Sequence, residues 1–191
     1  MIILFGLAGT GKSTHGQILA EDHEMVWLSV GQVLRDTGEF EETLKRGELV
    51  DDDVVIRLMG EKIRQIRGEG KEIVLDGFPR DKYQAEWVAQ NMAGDISKAV
   101  LIDVPKEELW RRIEERGRAD DTKEAIERRF EIVEQNIYAI LEILKQAGVK
   151  IETISGVGEV DEVSERLEEA FFGEEEWLES LINVKTGVYY I

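Results

Sequence analysis

The sequence predicts an α/β fold built on a parallel sheet with helices on both faces, and three observations carry that prediction. Short apolar runs alternate with longer helical patterns along most of the chain, the order produced by parallel strands joined through helical crossovers. The runs at 2–5, 73–75 and 99–104 are almost continuously apolar, as in strands covered on both faces. The first run enters Gly6-Leu7-Ala8-Gly9-Thr10-Gly11-Lys12-Ser13-Thr14 directly, a glycine-rich turn whose chemistry needs a strand before it and a helix after it.

That turn has the pattern G-x-x-x-x-G-K-S. Its glycines let consecutive backbone N–H groups turn inward around phosphate oxygens, the following helix offers its positive N-terminus, and Lys12 reaches the outer phosphates. Ser13 is the expected Mg²⁺ contact, and a nucleoside triphosphate site follows. The helix at 12–21 carries His15, expected to pack or face solvent rather than to act in catalysis. After a strand at 25–28, residues 30–50 break the alternation with one or two short helices around Arg35 and Leu44, read as a small lobe beside the sheet. A helix at 52–67 precedes the strand at 73–75, whose tip delivers Asp76-Gly77-Phe78-Pro79-Arg80, with Gln84 four residues on. An acid at a strand tip beside a phosphate loop is placed to hold Mg²⁺ through water. Gly77 allows close approach of a ligand, Pro79 stiffens the turn, and Arg80 offers a planar fork to a second phosphate. Helices at 82–91 and 106–115 flank the strand at 99–104; helix 122–147, strand 150–154 and helix 161–171 follow.

Arginines are the next signal, since transfer of a phosphoryl group requires charge on several oxygens to be neutralised. Arg112, Arg116, Arg118 and Arg129 cluster around a short break, Arg116-Gly117-Arg118-Ala119-Asp120-Asp121, between two long helical patterns. Helical spacing puts Arg112 and Arg116 on one face. Arg111 and Arg128 are assigned instead to solvated ion pairs with nearby glutamates such as Glu108, Glu115 and Glu127.

Composition narrows the classes. The 191 residues suffice for one core carrying small lobes. With 24 basic against 41 acidic side chains, the net charge of -17 repels nucleic-acid polymers and anionic membrane surfaces. The absence of cysteine excludes disulfides and thiol chemistry, and with only His15 and His23 available no zinc site is expected. The opening apolar run is too short for a signal peptide or a membrane span. A soluble, cytoplasmic protein is expected.

Together the phosphate loop, Leu28-Ser29-Val30-Gly31-Gln32-Val33-Leu34-Arg35, Gly47-Glu48-Leu49-Val50, Asp76 to Arg80 with Gln84, and Gly117 to Asp121 through Arg129 resemble the adenylate kinases, in the same order. The resemblance covers roughly residues 1–172, and its most specific element is D-G-F-P-R-x-x-x-Q. It implies a P-loop kinase three-layer sandwich with a five-stranded parallel sheet, a nucleoside monophosphate lobe at 30–50 and a vestigial lid at 116–121. The implied reaction is Mg·ATP plus AMP to two ADP, reversibly. By the same likeness Gly9, Thr10, Gly11, Lys12, Ser13 and Thr14 cradle the ATP phosphates, Arg112 and Arg116 contact ATP, and the backbone at Gly158 meets its adenine. Val30, Gly31, Arg35, Glu48, Leu49, Val50, Gly77, Phe78, Arg80 and Gln84 match AMP-binding positions. Arg118 and Arg129 match the pair that bridges the two phosphate chains. Lys12, Arg80, Arg118 and Arg129 are then the catalytic set, Ser13 and Asp76 hold Mg²⁺, and no general base is implied.

The chain departs from the family pattern at Ala8, where proline is usual, at Ser13, where glycine is usual, and at Val30 and Gln32, which replace threonine and aspartate. Val30 keeps a UMP/CMP or broad-range monophosphate kinase open as an alternative, and the reduced lid keeps open an ATP- and AMP-binding assembly protein of low turnover. A lid excludes water, so its reduction points to ATP hydrolysis without acceptor or to a homo-oligomer that covers the site. Residues 173–191 lie outside the resemblance. Glu174-Glu175-Glu176 reads as a solvated start to a last helix, and 181–184 with 188–191 read as the two strands of a hairpin, expected to pack on the core or pair with a second subunit.

Overall fold

The computed structural model describes residues 1–118 and 121–186. Five parallel strands, β1 (Ile2–Phe5), β2 (Val26–Ser29), β3 (Ile73–Asp76), β4 (Lys98–Asp103) and β5 (Lys150–Ser155), form one sheet in the order β2-β3-β1-β4-β5. Helices α1 (Lys12–Asp22), α2 (Val30–Thr37), α3 (Glu41–Lys45), α4 (Asp52–Gly68), α5 (Lys82–Met92), α6 (Lys106–Arg116), α7 (Lys123–Gln146) and α8 (Val160–Thr186) join and follow the strands. The expected five-stranded parallel α/β sandwich is what the chain adopts, and residues 30–50 supply the two short helices α2 and α3.

Strand alternation sorts the core into two layers. Ile3, Phe5, Ile73, Leu75 and Ala99 pack with Leu34, Met59, Ile63, Val88 and Leu144 from α2, α4, α5 and α7. Ile2, Leu4, Val74, Val100 and Ile102 pack with Leu19, Leu109, Ile113, Val163 and Leu167 from α1, α6 and α8. α7 serves both layers: Ile126 and Phe130 near its start join the second, Ile140 and Leu144 near its end the first. Crossovers leave β1 toward β2 and leave β4 toward β5, so the chain diverges between these neighbours and opens a crevice at the carboxyl edge. The register brings Leu4 and Ser29 level with Asp76 and aligns Phe5 with Leu101.

Helix ends follow their sequence signals. The Asp51 side chain accepts from the N–H groups of Asp53 and Val54 at the start of α4, Asp81 from Gln84 at the start of α5, and Thr122 from Ala125 at the start of α7. Gly117, with φ of 60°, ends α6 in the left-handed conformation.

The C-terminal expectation needs correction. Residues 181–184, read as a strand, lie within α8, which runs unbroken from Val160 to Thr186. Trp177, Leu178, Leu181 and Ile182 have helical spacing, and no proline interrupts 161–186, so continuing a formed helix is favoured over starting an isolated strand. The second expected strand, 188–191, lies outside the described residues, as do Ala119 and Asp120 of the short lid.

The lobe at 30–50 is held against α7 by a close backbone approach. Gly47 has φ of +69°, and a Cβ there would lie 2.3 Å from the carbonyl oxygen of Ala125. Gly47→Ala is therefore expected to destabilise the chain by about 1–3 kcal/mol, from left-handed strain and a contact with rigid backbone. Thermal unfolding beside the parent checks this; an unchanged midpoint would show that the lobe does not depend on the contact.

Candidate active site

A cavity of about 540 Å³ lies at the carboxyl edge of the sheet. The loop between β1 and α1, the start of α2, residues 44–49, the turn after β3, the arginines of α6 and α7, and Gly158 all border it. Of the residues singled out from sequence, Gly9, Gly11, Lys12, Ser13, Thr14, Gly31, Arg35, Glu48, Leu49, Asp76, Gly77, Arg80, Arg112, Arg116, Arg118, Arg129 and Gly158 line it together.

The remaining five sit behind this lining. Thr10 is buried and its Oγ1 donates to the Leu7 carbonyl at 3.0 Å, tightening the phosphate loop from inside. Val30, Val50 and Phe78 belong to the first core layer, Phe78 meeting Trp87 edge-on at 6.4 Å between ring centres. Gln84 is also buried, its amide bonded to Asp52 and to the Arg80 backbone.

In the phosphate loop, Gly6 has φ of +148° and a Cβ there would fall 2.7 Å from the Ile102 carbonyl oxygen; only glycine lets the turn pass this close to β4. Lys12 Nζ folds back to donate to the carbonyls of Gly6 and Leu7, each at 2.8 Å. Burial pulls its ammonium down to about 8; Asp76 opposes this, while Arg80, Arg116 and Arg118 add to it. An arriving polyphosphate reverses that balance, so its anionic charge stabilises the protonated lysine.

Ser13 Oγ donates to Asp76 Oδ2 at 2.8 Å, and Asp76 is only 3% exposed. This pair offers oxygen alone, the donor set of Mg²⁺ rather than of zinc. Among the described residues no group of three or more His, Cys, Asp or Glu side chains could hold a metal. A cation here must draw its other ligands from water and phosphate, which Mg²⁺ does readily.

Across the turn after β3, Arg80 Nε donates to the Gly77 carbonyl at 2.9 Å, and the guanidinium groups of Arg80 and Arg35 both stand over Gly31. Burial lowers Arg80 to about 10, with Asp76 opposing and Arg129 and Arg35 reinforcing, which leaves it a cation at neutral pH.

The arginines of α6 and α7 are organised by an acid that sequence reading passed over. Asp121, its side chain 3% exposed, accepts from Arg116 at 2.7 Å and from Arg129 at 3.0 Å. Arg129 also donates to the Leu44 carbonyl at 2.8 Å. The signal was an aspartate inside the arginine cluster. Arg111 pairs with Glu108 and Glu115 as expected, whereas Arg128 reaches Glu48 at 2.9 Å, a partner 80 residues away.

Arg112 donates to Glu108 and, at 3.1 Å, to the Gly156 carbonyl, and Arg166 braces the same turn through the carbonyls of Ser155 and Val157. His15 is buried with its Nδ1 3.0 Å from Ser164 Oγ, yet it also borders the cavity. Burial, and then Arg112, lower its pKa, so it is a neutral ring at neutral pH. Also unforeseen is the apolar wall of Ile132, Val133 and Ile137 from α7, whose helical spacing marks one face.

Against this geometry, a family model described as adenylate kinase matches residues 4–149. An adenylate kinase of Synechococcus sp. (strain WH7803) is 32% identical over 179 residues, 87% of this chain and 96% of the relative. One of Thermus thermophilus is 33% identical over 184 residues, 88% of this chain and 95% of the relative. One of Parvibaculum lavamentivorans is 34% identical over 188 residues, 87% of this chain and 89% of the relative.

Beside the turn after β3, the Asp81 carboxyl is pushed up to about 6, first by burial and then by the neighbouring Asp52 side chain. A group whose folded pKa lies above its usual 3.8 contributes stability at low pH that is lost as pH rises through the folded value. Asp81→Asn keeps a capping side chain and removes the charge. It is expected to melt above the parent at pH 8 and to lose that advantage near pH 4; an equal difference at both pH values would show that Asp81 carries no such proton.

Proposed function

The chain belongs to the adenylate kinase family, and we propose that it transfers a phosphoryl group reversibly from ATP to AMP, giving two ADP, at the carboxyl edge of its sheet. The observation that most supports this is that one cavity holds two cationic centres, Lys12 in the phosphate loop and the Arg35–Arg80 pair over Gly31, together with Arg118 and Arg129. One phosphate centre serves a triphosphate; two in one cavity serve a donor and an acceptor.

In this reading the backbone of Gly9 to Thr14 and Lys12 hold the ATP phosphates, Arg112 and Arg116 lie against ATP, and the turn at Gly158 takes its adenine. Arg35 and Arg80 hold the AMP phosphate. Gly31, Gly77, Glu48, Leu49 and the buried Val30, Val50 and Phe78 shape the AMP pocket, and the Gln84 amide, buried behind the lining before a nucleotide enters, meets the base of AMP through its donor and acceptor edge. Arg118 and Arg129 bridge the two phosphate chains. Ser13, and Asp76 through water, would hold Mg²⁺, which when bound would draw charge from the phosphate oxygens. The AMP phosphate is already ionised at neutral pH, so no side chain need remove a proton. Alignment of the two nucleotides and neutralisation of the equatorial oxygens supply the rate. Residues 1–172 form the kinase unit, with the acceptor lobe at 30–50 and the lid at 116–121, and 173–191 extend it. The family and the absence of cysteine support a cytoplasmic setting.

A coupled assay over AMP, CMP, UMP, GMP and dTMP tests the acceptor, with AMP expected to dominate; a preference for UMP or CMP would reassign the pocket, and a flat panel would favour a binding protein. Lys12→Ala and Arg80→Ala are each expected to lower transfer by about three orders of magnitude or more, on the scale of lost transition-state charge neutralisation. A tenfold loss or less in either would remove that residue from its role.

The lid offers few residues to exclude water, so ATP hydrolysis in the absence of AMP is expected to be measurable unless a second subunit covers the site. Hydrolysis and solution mass measured on one sample decide this. A monomer with full kinase activity and negligible hydrolysis would overturn the expectation.

A further inference from the structure

Gln84 is 1% exposed, and both ends of its amide are held. Its Oε1 accepts from the backbone N–H of Arg80 at 2.9 Å, and its Nε2 donates to Asp52 Oδ1 at 2.7 Å. A backbone N–H can only donate and an ionised carboxylate can only accept, so these partners dictate which end of the amide is oxygen and which is nitrogen. Asp52 is not needed to cap its own helix, because Asp51 accepts from the N–H groups of Asp53 and Val54 at 3.1 and 3.3 Å.

We propose that Asp52 is a positioning residue that fixes the donor–acceptor polarity of the Gln84 amide, so that the acceptor site takes a 6-amino purine and rejects a 6-oxo purine. The inference rests on the reading of Gln84 as the group that meets the base of the acceptor nucleotide. With Oε1 and Nε2 each committed once, the amide keeps one carbonyl lone pair and one N–H. Adenine complements these with its amino donor and its N1 acceptor. Hypoxanthine presents the reverse, an N1–H donor and an O6 acceptor, and sets N–H against N–H and oxygen against oxygen. Buried polar groups left facing like groups are the strongest basis for rejecting an analogue. To accept a 6-oxo base the amide must turn over, which sets Nε2–H against the Arg80 N–H and Oε1 against the Asp52 carboxylate, two contacts between like groups.

Asp52→Asn is close in shape but can accept or donate, so it removes the Asp52 half of the bias against turning over and leaves that of the Arg80 N–H. Steady-state kinetics with AMP and IMP as alternative acceptors test the idea in the full chain, with melting temperature checking the fold. In Asp52→Asn the ratio of kcat/KM for IMP to that for AMP is expected to rise about tenfold or more, the scale of one misdirected hydrogen bond. The change is expected mainly in KM for AMP, with kcat for AMP held within about threefold, because the phosphate-binding arginines are not affected. Asp52→Ser, whose hydroxyl is equally ambivalent, carries the same expectation and stands in if the Asn chain does not fold. Asp52→Glu, an acceptor only, should retain the discrimination of the parent. Discrimination by the parent that survives in the neutral variants overturns the role of Asp52 alone. A parent that uses IMP as readily as AMP overturns the reading of Gln84 and this inference with it.

Discussion

Mutual repulsion among cations is the constraint on which the site depends. Lys12, Arg35, Arg80, Arg112, Arg116 and Arg129 border one cavity, and each must be held in place before any phosphate arrives. The fold gives each an internal acceptor: loop carbonyls for Lys12, Gly77 for Arg80, Gln32 for Arg35, Glu108 for Arg112 and Asp121 for Arg116 and Arg129. Such contacts keep the charges apart and oriented, and a nucleotide then exchanges one set of acceptors for another rather than ordering loose side chains. Burial is the main cause of the lowered pKa values of Lys12 and Arg80, and the neighbouring arginines add to it.

The same contacts tie the lobe at 30–50 to the rest of the molecule. Arg129 holds both Asp121 and the Leu44 carbonyl, Arg128 holds Glu48, and Gly47 lies against Ala125. The start of α7 is thus a common wall for the lobe and for the arginine cluster.

The sheet, most helix boundaries and the phosphate loop were legible because they depend on local order: apolar runs alternating with helical spacing, and glycines at fixed spacing. Asp121 and the Glu48–Arg128 pair were less so, since their meaning comes from partners that only the fold brings near. The burial of Val30, Phe78 and Gln84 behind the cavity lining was invisible for the same reason; a motif gives residue types but not which side chains face inward. The end of the chain misled because 181–184 and 188–191 are apolar enough for strands, whereas the helix already formed at Val160 extends through the first of them.

The segment between α6 and α7 has a further consequence. α6 stops on left-handed Gly117, and α7 starts on its own Thr122 hydroxyl, so each helix is terminated by itself. Neither terminus needs the intervening residues to end properly, and the segment joins two finished parts. Such a junction is a natural place for insertion or deletion over evolutionary time: its length can drift, or be exchanged for a longer cover, so long as Asp121 stays to hold Arg116 and Arg129.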